Sequence, residues 1–294
     1  MKKNFLFLVV CFFSLTCFSQ DSTHKWSLSA GLGIDPVAVY SISGTDTSIV
    51  NGLSISPVIA YRHTSGFGIS YSPKFVTGGN SPGIYMHAVT IGVEQYDKKI
   101  LDYTFNYSHY FFTNASSVPY SPITNEISGS LGYKKGWLVP SVSAGIGFGK
   151  NTETTPASNA YDIGASIGVS HGFSWENKDA EFGLTPSLSL NGGTNEYFSL
   201  LSFTKYIGRN KKLLNGIKSG KAATALARKR NRNTPASQTS GEKFELSNFE
   251  LALESSAAFG SFTIRPTVSL YLPVGTYSGN GLAAYWSLSF DYSF

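Results

Sequence analysis

Segments of about ten residues that alternate apolar with polar side chains, connections that alternate short with long, and a final stretch ending on an aromatic residue together predict an all-β chain. The predicted fold is an antiparallel up-and-down β-barrel of about twelve strands that crosses a membrane. Aromatic and charged residues each make up 14% of the chain, which allows one large all-β domain or two small ones, so alternation has to choose. After the first residues, nothing supplies the roughly 20 consecutive apolar residues that a transmembrane helix requires.

Lys2 and Lys3, the apolar stretch from Phe5 to Phe13 and the small or polar residues up to Gln20 follow the order of a secretory signal. Residues 1–19 are therefore expected to leave, by cleavage after Ser19 or after Gln20, and 20–294 to form the barrel. Cys11 and Cys17 would leave with the signal. Lipidation at Cys17 is the alternative, but Leu15 stands one place off the usual Leu-x-x-Cys spacing. A mature chain without cysteine has neither disulfides nor thiolate metal sites, and closure of a large sheet is the stabilising device left to it.

Period-two segments run approximately over residues 26–40, 53–62, 67–76, 84–96, 100–111, 126–134, 137–149, 160–175, 181–191, 245–256, 259–273 and 281–294. The clearest sets Tyr161, Ile163, Ala165, Ile167 and Val169 against Asp162, Gly164, Ser166, Gly168 and Ser170. Short connections fall near 64–66, 97–99, 134–136, 176–179 and 256–258, and longer ones at 41–52, 112–125 and 150–159. Tight turns at one barrel end and extended loops at the other give that rhythm. The stretch Tyr197–Tyr206 is also apolar and aromatic, but both chain ends belong on one side, which needs an even number of crossings. Residues 192–243 are therefore expected to form one long external loop, with a fourteen-strand barrel as the alternative. Pro57, Pro73, Pro140, Pro186 and Pro266 fall inside predicted strands, where a closed sheet offers no edge for a missing N–H. They keep a soluble β-sandwich in play unless bulges absorb them.

Counting back from Phe294, every second residue is apolar: Tyr292, Phe290, Leu288, Trp286, Ala284 and Leu282. In this terminal strand the chain resembles bacterial outer-membrane β-barrels, and the signal ending in Cys-Phe-Ser-Gln is similar to precursors of Bacteroidota. The resemblance implies an outer-membrane location and makes Trp286, Leu288, Phe290, Tyr292 and Phe294 the signal read by the barrel-assembly machinery. It further implies outer-membrane lipid as a partner, with lipopolysaccharide as a candidate.

From Arg209 to Lys243, ten basic residues stand against Glu242 alone, although the whole chain carries only +5. Arg209, Lys211, Lys212, Arg228, Lys229, Arg230 and Arg232 are candidates for contact with lipopolysaccharide phosphates or anionic solutes, or form a solvated loop. No aromatic platform lies among these charges, so nucleic-acid binding is not expected. The polar phase places Arg62, Lys74, Glu94, Asp102, Asp162, Glu181, Glu250, Arg265 and Asp291 in the interior among many Gly, Ser and Thr. A turn at Ala257 and Ala258 would set Glu250 opposite Arg265, either as a charge-selecting constriction or as a neutral cross-strand pair. Arg62, Asp102 and Asp162 are further lumen candidates.

Outward aromatic residues such as Trp26, Tyr85, Phe111, Phe173, Trp175, Trp286 and Tyr292 suit a headgroup-level girdle. His87, His109 and His171 share that phase, and no spacing gathers them into a metal site. Gly145–Lys150 superficially suggests a phosphate loop, but Ala144 and Asn151 break the pattern. No signature marks a catalytic nucleophile, and no cofactor is expected. The expected function is a porin-like channel for small solutes. The alternatives are a non-conducting surface barrel for adhesion or lipopolysaccharide contact and, behind it, an outer-membrane lipid-modifying enzyme.

Overall fold

The computed structural model describes residues 26–43, 46–79, 81–96, 100–113, 122–151, 156–194, 244–275 and 282–294. The expected signal, Tyr197–Tyr206 and the basic segment with Arg209, Lys211, Lys212, Arg228, Lys229, Arg230 and Arg232 lie outside the described residues. The strands are β1 (Trp26–Ser43), β2 (Asp46–His63), β3 (Phe67–Val76), β4 (Gly83–Gln95), β5 (Leu101–Phe112), β6 (Ile123–Tyr133) and β7 (Val139–Asn151). They continue with β8 (Ser158–Ser170), β9 (Phe173–Asn177), β10 (Ala180–Gly193), β11 (Glu245–Phe259), β12 (Phe262–Pro273) and β13 (Ala283–Ser293).

Neighbours pair antiparallel in chain order, β10 pairs with β11, and β13 returns to β1, so the sheet closes on itself. β8 and β9 are one crossing. Both pair with β10, and the register runs unbroken from Ser170 opposite Ser187 to Phe173 opposite Leu184. The barrel therefore has twelve crossings, and Trp26 and Phe294 emerge at the same end, as parity requires. We call this the turn end, and the opposite mouth the loop end.

Pro57, Pro73, Pro140, Pro186 and Pro266 each lie where the ladder lapses on one side. Register puts Pro57 opposite Pro73, inside the stretch where β2–β3 pairing stops between Ile59–Tyr71 and Ile55–Phe75. Two missing donors thus share one gap. Pro186 stands opposite His171 in the break between β8 and β9, where the His171 amide still donates to the Pro186 carbonyl. Pro266 faces the lapse in β11–β12 pairing between Glu254–Thr267 and Ala257–Ile264. Pro140 lies one residue beyond the last β6–β7 pair, Gly132–Ser141. A closed sheet accommodates these residues by concentrating its unmade hydrogen bonds.

Three local expectations are corrected. Residues 41–43 and 46–52 are not a loop: β1 and β2 stay paired from Trp26–His63 to Ser43–Asp46, extending the hairpin beyond the alternating segments. The β11–β12 turn lies at Gly260 and Ser261 rather than at Ala257 and Ala258, since Gly260 adopts φ +57° and both alanines stay paired in the ladder. Tyr85 is not a girdle residue: a register shift between Lys74 and Phe75 turns it inward, where it is 7% exposed and its hydroxyl meets Ser54 Oγ at 3.1 Å.

Candidate functional site

Alternation divides every strand between two environments. Even-numbered residues of β2–β6, β8, β9 and β11, and odd-numbered residues of β1, β7, β10, β12 and β13, face the lumen, except at the register shifts that also bring Tyr85 and Ile123 inward. The opposite phase is apolar and exposed all around the barrel. Ile59, Ile69, Ile91, Phe105, Leu131, Val142, Ile167, Leu188, Leu251, Val268 and Trp286, each from a different crossing, are all at least 41% exposed. A continuous belt of this kind cannot face water, and it is the lipid-facing surface of a membrane barrel. Aromatic rings crowd the turn end of the belt: Trp26 stacks on Tyr61 at 4.7 Å, Trp175 on Phe182 at 5.9 Å, and Tyr292 meets Phe294 edge-on at 4.8 Å.

The lumen itself has two unlike walls. Along β1–β6 it is filled. Toward the loop end, Val37, Val39, Val76, Met86, Ala88, Tyr110 and Ile123 form a buried apolar cluster inside the barrel. Among them sits Lys74, 4% exposed, with the Asp35 and Glu126 carboxylates acting on its ammonium. Tyr110 donates to Glu126 Oε2 at 2.6 Å, and Thr90 and Ser108 hydroxyls meet at 2.8 Å. Toward the turn end, Arg62 pairs with Glu94 at 3.4 Å, donates to the Glu94 carbonyl at 2.8 Å and lies over the Tyr96 ring, while Lys134 pairs with Asp102 at 2.5 Å.

β7, β8 and β10 present a different surface. Their lumen-facing residues include Ser141, Ser143, Gly145, Gly164, Ser166, Gly168, Ser170, Gly183, Thr185, Ser187 and Ser189, all half-buried, whereas the inward residues Ser54, Ser70, Ser72, Ala88 and Thr90 are 2% exposed or less. Small side chains leave space that the facing wall does not fill. Glu250 on the adjacent β11 accepts from Asn191 Nδ2 at 3.0 Å, and Asp162 on β8 accepts from Thr194 Oγ1 at 2.9 Å.

All nine sequence-assigned interior charges occupy the lumen-facing phase: Arg62, Lys74, Glu94, Asp102, Asp162, Glu181, Glu250, Arg265 and Asp291. The pairing expected of two of them is corrected. Because the turn lies at Gly260–Ser261, Glu250 stands opposite Tyr271, and Arg265 forms a buried ion pair with Asp291 on β13 instead. Sequence reasoning missed Asp35, Glu126 and Glu254, although each has the parity of an inward neighbour and was legible by that signal. Trp286, Leu288, Phe290, Tyr292 and Phe294 keep the outward phase, with β13 hydrogen-bonded between β12 and β1. Among the described residues, no group of His, Cys, Asp and Glu is arranged to hold a metal ion.

A closed antiparallel sheet with an apolar exterior and a polar interior defines a transmembrane β-barrel. No protein-family model and no curated protein matches the sequence. Among solved structures the chain is similar to an outer membrane channel from Pseudomonas putida F1, at 6% identity and TM-score 0.46 over 94% of this chain and 100% of that one. It is also similar to the translocator domain of autotransporter NalP from Neisseria meningitidis, at 11% identity and TM-score 0.42 over 100% of this chain and 96% of that one. A third is the KdgM porin in complex with oligogalacturonate, at 9% identity and TM-score 0.40 over 90% and 99% of the two chains. At these identities the likeness is one of fold.

Proposed function

We propose that the protein is a porin-like channel of a bacterial outer membrane that passes small solutes through its polar lumen. The observation that carries this reading is the half-buried wall of Gly, Ser and Thr on β7, β8 and β10, which leaves a polar path beside the packed β1–β6 side. A barrel built only to present loops gains nothing from a bare interior wall, and filling it with larger side chains would add stability. The turn end is the periplasmic mouth, the loop end faces outward, and the basic segment of residues 209–243 belongs to the outer surface.

The finer parts of the reading rest on the sequence. Residues 1–19 are a cleaved signal of the Bacteroidota type, the terminal strand is handed to the barrel-assembly machinery, and the basic loop meets lipopolysaccharide or anionic solute. The protein is not an enzyme and takes no cofactor. A second reading, a non-conducting surface barrel, is favoured by the apolar cluster inside the loop end of β1–β6.

Purified protein in planar bilayers separates the two readings, tested both with and without residues 207–243. Discrete conductance steps support the channel. Silence from protein that still shows heat-modifiable electrophoretic mobility overturns it in favour of the surface barrel.

A further inference from the structure

Carboxylates are distributed along the open wall at intervals of four to five residues. Glu181 lies on β10 itself; Glu254 stands opposite Thr185 and Glu250 opposite Ser189. Asp162 binds Thr194, the residue after the Gly193–Gly164 pair. Measured along β10, the rungs therefore fall at residues 181, 185, 189 and 194. Four strand residues span on the order of 13 Å, so the ladder runs from the turn end to the loop end.

The opposite sign is missing from this side. Among the described residues, β7–β11 carry no lumen-facing lysine or arginine within their strands. Arg265 on the neighbouring β12 is paired with Asp291, and its charge also acts on the Glu254 carboxylate.

Two further observations separate this ladder from a chance cluster of acids. Glu181 stands directly opposite Glu176 on the same inward face, a like-charge pairing that disfavours the sheet. Glu254 is only 5% exposed, yet its Oε1 accepts no hydrogen bond from the protein. A buried carboxylate oxygen on the lumen face thus keeps its acceptor capacity for something that enters the lumen.

We propose that the open wall is a cation track: small monovalent cations pass along β10 from one carboxylate to the next, with Glu250 and Glu254 its central rungs. Successive sites that each bind weakly allow both entry and exit, and their common sign excludes anions. The inference rests on the channel reading and specifies which solutes it passes.

The test uses the full-length protein in planar bilayers under a potassium chloride gradient. Wild-type protein is expected to prefer potassium over chloride by about tenfold, the scale on which charged clefts concentrate counter-ions. The Glu250→Gln/Glu254→Gln variant, shown to be folded by heat-modifiable mobility, should lose most of that ratio, whereas Glu94→Gln on the packed wall should keep it. A reversal potential at zero or on the chloride side overturns the inference while leaving the channel intact. So does a ratio unchanged in the double variant, or one equally reduced by Glu94→Gln. Absence of any current overturns the channel reading itself, and the track with it.

Discussion

The two walls of the lumen are made by the same alternation but filled differently. On β1–β6 the inward phase carries valine, methionine, tyrosine, lysine and carboxylates that bury one another; on β7, β8 and β10 it carries glycine, serine and threonine that stay half-buried. Both walls face lipid through the same apolar belt, so the difference is not about residence in a membrane. One side of the barrel is built as a core, and the other as a surface that happens to be inside.

The comparison can be broken at several levels. The largest effect should come from the seam. β13 supplies the pairing to both β12 and β1, and deleting residues 283–294 opens the barrel and leaves edges that a bilayer does not tolerate. Complete loss of membrane assembly is expected, read as loss of the protein from the outer-membrane fraction; normal insertion would refute the role of the closing strand.

Next comes occlusion of the open wall. Ser143→Trp should lower single-channel conductance by about tenfold, since a filled constriction removes water from the path, while its melting temperature changes little. A tryptophan at the already buried Ser72 should do the reverse, overpacking a full interior at a cost of about 1–3 kcal/mol.

The packed wall continues into a buried ion pair on β12 and β13. Arg265→Met strands Asp291 and should destabilise the barrel by about 3–5 kcal/mol, whereas Arg265→Met/Asp291→Leu should recover most of that loss. Unfolding in detergent reads both, and a double variant no better than the single would show that the pair is not a closed unit. The smallest effect is expected outside the lumen: Tyr71→Phe removes a 2.7 Å contact with His87 on the exposed face and should change stability by no more than about 1 kcal/mol.

Much of this was legible in the sequence because a membrane barrel repeats one simple rule. Twelve period-two segments became twelve crossings, including 160–175 as one strand despite its interruption at His171–Gly172. All nine assigned interior charges kept their phase. What alternation does not specify is register. A turn placed three residues too early moved Arg265 away from Glu250 and hid its pairing with Asp291. A single bulge near Lys74 reversed Tyr85, and no periodic pattern announces a bulge. The prolines read as counter-evidence for the opposite reason. Taken singly each proline counts against a closed sheet, whereas Pro57 and Pro73 meet across one gap, a relation that exists only once β2 and β3 are aligned. The unlike filling of the two walls was present in the composition of the inward phase, but it acquires meaning only when the sheet order sets β7–β10 across the lumen from the strands at the start of the chain.

The most direct test of the two-wall account is thiol accessibility during conduction. The only cysteines, Cys11 and Cys17, fall in the expected signal, so a single cysteine can be introduced into an otherwise thiol-free barrel. A charged methanethiosulfonate reagent applied to open channels should reduce the current of Ser143→Cys promptly and leave Ser72→Cys unchanged. Modification of Ser72→Cys with Ser143→Cys silent would place the path along the wall described here as filled, and would contradict the account.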